Sequence, residues 1–169
     1  MTEDMKKILY IIAASFVLFA SCAKDPVGNT ATVDMAGEWY VRADVVDENG
    51  ELLYEDPYGM GYFIVSTFNT AANVPTEMYV YDNANFWEFQ VPVTVNPSDK
   101  TFETKEMVPN LAYESNVQIT GGKISYGTAT TPSGQPADAI EFCVTFDDDD
   151  YGFIYKLHGY RYTGFTADE

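Results

Sequence analysis

From Gly37 onward, apolar side chains recur at every second residue, a spacing that gives a strand one buried face and that a helix cannot bury on one side. Trp39, Val41, Ala43 and Val45 alternate with Glu38, Tyr40, Arg42 and Asp44. Trp87, Phe89, Val91, Val93 and Val95 alternate with Glu88, Gln90, Pro92 and Thr94, and Ile140, Phe142, Val144 and Phe146 with Glu141, Cys143 and Thr145. Less regular strands fit 60–69, 76–82, 100–107, 113–120, 122–128 and 151–165. Turn chemistry separates them: Asn49-Gly50, Asn96-Pro97, Gly121-Gly122 and the Asp147–Asp150 run before Gly152. Pro92 has no N–H for a ladder, so its strand is an edge or is bulged there. The pattern predicts an all-β, antiparallel sandwich or closed barrel of about eight to nine strands.

The first residues follow another rule. Lys6 and Lys7 precede an apolar run, Ile8 to Ala20, that ends in small residues before Cys22. This is the architecture of a secretory signal, and the run is shorter than the roughly 20 residues of a membrane span. Glu3 and Asp4 spoil a positive start, so Met5 is the more fitting first residue. Leu18-Phe19-Ala20-Ser21-Cys22 resembles the lipobox of bacterial lipoproteins. The resemblance implies a signal peptide over 1–21, a lipid on the Cys22 thiol and a membrane attachment through that lipid. Residues 22–36, with Pro26, Gly28 and Asn29 and no apolar period, read as a flexible tether. The barrel domain is then 37–169.

A formal charge of −17 repels phosphate backbones and anionic headgroups, so nucleic acid is excluded as a partner and the membrane link rests on the lipid. With Cys22 lipidated, Cys143 has no intramolecular disulfide partner.

Three segments carry a further resemblance: Gly37-Glu38-Trp39, the stretch from Asp138 to Asp149, and the closing Gly159-Tyr160-Arg161-Tyr162-Thr163-Gly164-Phe165. With the lipobox they resemble a family of Bacteroidetes lipoproteins, the lipid-binding putative hydrolases. The resemblance implies a calycin-like β-barrel over most of 37–169. The Gly-x-Trp opening is also similar to the first strand of lipocalins, where a Trp packs under an Arg of the last strand. Trp39 and Arg161 match those positions, which implies a structural cation–π contact at the barrel base.

The residues give little support to hydrolysis. His158 is the single histidine, and no serine sits in a Gly-x-Ser-x-Gly elbow. A Cys143–His158 dyad requires neighbouring strands to align the two, and Cys143 between Phe142 and Val144 reads as structural. His158 alternates with Lys156 and Tyr160, which predicts a solvent-facing row. Asp44 and Glu38 fall on the polar phase of their strand and read as solvated. Asp147–Asp150 supplies oxygen ligands but breaks the EF-hand spacing, so an acidic, solubilising turn is favoured over Ca²⁺. One His and one Cys do not make a zinc site. No catalytic residue, metal or cofactor is assigned.

The expectation is a non-enzymatic lipoprotein of the cell envelope, held at the outer membrane on its periplasmic or cell-surface face. Its barrel either packs solid or holds a small apolar ligand such as a lipid. The alternatives are a hydrolase, as the family name implies, and a structural accessory of an outer-membrane complex.

Overall fold

The computed structural model describes Glu3 and residues 28–169. Cys22 and the rest of the signal lie outside the described residues. Ten strands follow in chain order: β1 (Gly37–Val46), β2 (Leu52–Tyr54), β3 (Phe63–Asn69), β4 (Glu77–Tyr81), β5 (Gln90–Asn96), β6 (Thr101–Glu103), β7 (Val108–Pro109), β8 (Asn116–Thr130), β9 (Pro136–Phe146) and β10 (Ile154–Arg161). Every pairing is antiparallel, and β1 meets β10 from Trp39↔Arg161 to Val46↔Ile154, which closes the sheet. Eight strands form the barrel. β2 extends the far half of β1 beyond its pairing with β3, and β7 pairs with the start of β8.

The seam between β1 and β10 depends on one glycine. A Cβ on Gly159 would stand 2.0 Å from the Tyr40 carbonyl oxygen and 2.8 Å from the Val41 Cα. No side chain fits between backbones at that distance.

Alternation fills the interior as the sequence requires. Trp39, Val41, Val45, Val65, Met78, Val80, Val91, Ile119, Phe142, Val144, Tyr155 and Leu157 belong to one continuous buried cluster. The barrel axis is packed with side chains. Burying such side chains is worth about 1.5–3 kcal/mol each before chain entropy is counted, so this cluster is the main stabilising element.

Three details differ from the sequence reading. Gly121-Gly122 is not a turn between two strands but a register shift inside the single strand β8. Gly121 has φ +62°, and a Cβ on Gly122 would sit 2.4 Å from the Phe102 oxygen, so the glycines let β8 swerve while pairing continues. Trp87 and Phe89 precede β5 instead of belonging to it, because Glu88 adopts φ +49° and breaks the extended backbone. The packed domain also begins before residue 37: Thr30–Ala36 forms hydrogen-bonded turns, and Met35 joins the core at 2 % exposure.

Pro92 lies in a strand paired on both sides. Val95 N–H donates to Thr76 on the β4 side, so alternation turns the Pro92 nitrogen toward β6. Pairing with β6 ends at Thr94↔Glu103, two residues short of Pro92, so no ladder bond is lost.

Candidate functional site

Chain direction gives the barrel two unlike ends. The base holds residues 28–36, the turns at 70–76, 96–100 and 131–135, and the C-terminal segment after β10. The mouth is built by four connections: 47–62, 82–89, 104–115 and 147–153.

At the base, Arg161 Cζ lies 4.3 Å from the centroid of the Trp39 ring. Trp39 Nε1 donates to Thr67 Oγ1 at 2.9 Å, and Thr67 Oγ1 in turn donates to the Met35 carbonyl at 2.6 Å. Arg161 also donates from Nε to Asp138 at 3.0 Å and from Nη1 to the Ala36 carbonyl at 3.0 Å. The C-terminal turn Thr166–Asp168 latches onto the same end. The buried Asp168 carboxylate accepts from the Ser133 amide (3.0 Å) and the Thr163 hydroxyl (2.7 Å). Hydrogen bonds from Ser133 and Thr163 hold its pKa down at about 2.

The mouth is closed by an aromatic stopper. The fully buried Asp82 carboxylate accepts five backbone N–H bonds, from Ala84, Phe86, Trp87, Glu88 and Phe89, at 2.8–3.0 Å. That carboxylate folds the 82–89 loop so that Phe86 and Trp87 cover the barrel end. Phe86 stacks on Phe63 (5.5 Å, 8°) and meets Tyr155 edge-on (5.1 Å, 78°). Trp87 stacks on Phe146 (4.8 Å, 14°). Tyr155 donates to Asp149 at 3.1 Å, so Tyr58 donates to Tyr155 across 2.7 Å. Burial first, then Tyr58 and Asp149, pushes the Tyr155 phenol far up.

The acidic turn clamps this stopper. Asp147 accepts from the amide and side chain of Asn116 (2.7 and 2.6 Å). Asp148 accepts from Trp87 Nε1 (3.1 Å) and from the Tyr113 hydroxyl (2.5 Å). Asp149 accepts from the Tyr151 and Phe153 amides. Only Asp150 of the four makes no hydrogen bond among the described residues. Among those residues, no group of three or more His, Cys, Asp or Glu side chains is placed to hold a metal ion.

Beside the stopper lies an apolar groove of about 620 Å³. Leu53, Tyr54, Pro57, Tyr58, Tyr151 and Phe153 line it, with Glu55 and Asp56 at its edge. Leu52, Leu53 and Tyr54 are each more than half exposed, and Tyr151 is 73 % exposed. Exposed large apolar side chains gathered around one concavity mark a binding surface more than scattered ones do. The mouth is also where the acid is concentrated. Connection 47–62 carries five acidic residues, 82–89 two, 104–115 two and 147–153 four, against Lys105 as the one basic residue of these loops.

On the outer wall, His158 faces outward beside Lys156 as expected, its side chain 36 % exposed, but it is paired, and Tyr160 of the same row is buried. The His158 Nε2 lies 2.8 Å from Asp44 Oδ2, and because a carboxylate only accepts, Nε2 is the protonated nitrogen. Asp44, read from the sequence as solvated, is 5 % exposed. It also accepts from Arg42 (3.2 Å) and the Asp56 amide (3.0 Å), and Arg42 reaches Glu55 at 2.7 Å. Burial alone would raise the Asp44 pKa. The Asp56 amide, His158 and Arg42 outweigh it and lower the value.

Cys143 sits opposite Lys156 on the neighbouring strand, while the His158 ring turns to β1, so the two do not form a dyad. Burial pushes the Cys143 thiol up, away from a reactive thiolate. Ser125 and His158 line one outer groove of about 330 Å³, but β9 lies between their strands. Two strand spacings, roughly 9–10 Å, separate their backbones, beyond reach of a nucleophile–base hydrogen bond.

Sequence reasoning missed Asp82, Tyr58, Phe86 and the Asp44–Arg42 pair. Asp82-Asn83-Ala84-Asn85 is turn-forming chemistry that marks the start of the stopper loop. Leu52-Leu53-Tyr54, three apolar residues without alternation, marks the groove.

The architecture defines a closed, antiparallel calycin-like barrel with an occupied interior. The family model described as lipid-binding putative hydrolase matches residues 24–166, and the chain belongs to that family. A search of curated proteins returned no match.

Proposed function

We propose that this protein is a lipid-anchored, non-enzymatic barrel of the cell envelope that holds a small apolar ligand, such as a lipid, at its mouth. The carrying observation is the groove of Leu53, Tyr54, Tyr58, Tyr151 and Phe153 beside a stoppered, filled barrel. The ligand lies against this rim and not along the packed axis. Family membership supports a lipid as the ligand class. The signal-like 1–21 segment and Cys22 support a lipoprotein of the outer membrane. A barrel anchored through residues 22–36 is held by its base, with the mouth turned away from its own membrane.

Trp87 contacts Tyr58 at 6.5 Å and reports on the groove, whereas Trp39 is buried at the base. Binding of a lipid recovered from the native host is expected to change Trp87 emission. The same change in Trp87→Phe, or no lipid copurifying by native mass spectrometry, would count against the reading. For the anchor, Cys22→Ala should abolish radiolabelled palmitate incorporation; equal labelling of the variant would remove the lipoprotein reading.

The hydrolase alternative draws on the Asp44–His158 pair, an oriented base without a nucleophile in reach. It is favoured only if short acyl esters are cleaved by the protein and not by His158→Ala.

A further inference from the structure

The groove's walls and its charge together specify more than an apolar ligand. We infer that the mouth selects an amphiphile whose head is an ammonium cation, protonated or quaternary, over one with an anionic or neutral head. The inference rests on the reading of the mouth as an apolar-ligand site and names the class of ligand it takes.

Two observations of different kinds point to a cation. The first is the wall. Tyr151 stacks on Phe153 (5.3 Å, 12°), Tyr54 also packs against Phe153 (5.9 Å, 47°), and Tyr58 lines the same groove. Several aromatic faces around one concavity stabilise an alkylammonium through their ring quadrupoles, most strongly where water is displaced. The same faces offer nothing to a carboxylate or phosphate.

The second is the edge. Glu55 and Asp56 line the groove, and Asp149 and Asp150 immediately precede Tyr151. Arg42 offsets Glu55 only in part, because it is shared with Asp44. Around them the mouth loops hold one basic residue, Lys105. A low-dielectric wall beside such a rim focuses a negative potential, which attracts a cationic head and repels an anionic one. Leu53, Tyr54 and Pro57 supply the apolar surface for the chain that carries the head.

The experiment is calorimetric titration of the full chain at low ionic strength. The probes share one tail: dodecyltrimethylammonium, dodecyldimethylamine N-oxide and dodecanoate, each below its micelle concentration. Tetramethylammonium serves as the head alone. The cation is expected to bind about tenfold tighter than the N-oxide, with dodecanoate weakest. Tyr151→Ser and the Glu55→Gln, Asp150→Asn pair should each shrink that preference, as should added salt. Equal binding of the three amphiphiles overturns the cation inference and leaves the apolar-ligand reading standing. Tetramethylammonium binding as tightly as its long-chain counterpart overturns the amphiphile and makes the ligand a small free amine. Binding by none of the probes overturns both readings.

Discussion

Arg161 lies over the face of Trp39, its Cζ 4.3 Å from the ring centroid, and the two residues form the first pair of the β1–β10 seam. One side chain thus stacks on the core's largest ring, ties down the incoming chain at the Ala36 carbonyl and pairs with Asp138 on β9. Gly37 makes room for it, since a Cβ there would stand 2.1 Å from Nη1.

Arg161→Ala should lower unfolding stability by about 1–3 kcal/mol, through loss of the stacking and of a charged donor to a backbone carbonyl. Asp138→Asn should cost less than about 1 kcal/mol, because that ion pair is partly solvated. Urea denaturation of both variants measures the contrast. Equal losses would assign the stabilisation to the ion pair and not to the ring.

Gly159→Ala should cost about 3 kcal/mol or prevent closure altogether, because its Cβ collides with the β1 backbone and not with a movable side chain. Gly28→Ala meets nothing within 4 Å and serves as the control. Thermal unfolding and soluble yield report the difference.

The acid limb of stability should draw on Asp168 and Asp44. Both have folded pKa values below that of the unfolded chain. Their contribution is therefore complete above the ordinary carboxylate range near 4 and is lost as pH falls, for Asp168 toward about 2. Asp168→Asn should make stability less steep between pH 4 and 2, measured by urea midpoints at stepped pH. An unchanged slope would mean that the C-terminal latch does not couple to folding.

His158→Ala should destabilise by about 1–2 kcal/mol, because it removes a donor from the buried Asp44 carboxylate. His158→Gln, which can still donate, should recover part of the loss. A fold unaffected by either change would show that Arg42 and the Asp56 amide suffice.

Much of the barrel was legible because alternation is a local signal. Trp39 to Val45 and Ile140 to Phe146 read as strands with the correct inward face, and both are buried as expected. The mouth was not legible, because it is assembled from four connections far apart in the chain. Asp44 was read as solvated since its neighbours alternate, yet the returning segment at Asp56 covers it. Trp87 and Phe89 kept perfect alternation across a residue, Glu88, whose positive φ ends the strand. Period-two spacing sees composition, not the carboxylate that folds the loop.

That carboxylate gives the stopper an unusual chemical character. Five amides converging on a point are what a protein ordinarily offers to a phosphate or sulfate. Here the anion is covalently part of the cup, so the receptor is permanently occupied by its own guest. The barrel therefore carries, next to an acidic rim, one anion-binding centre that no solute can enter while Asp82 stays in place.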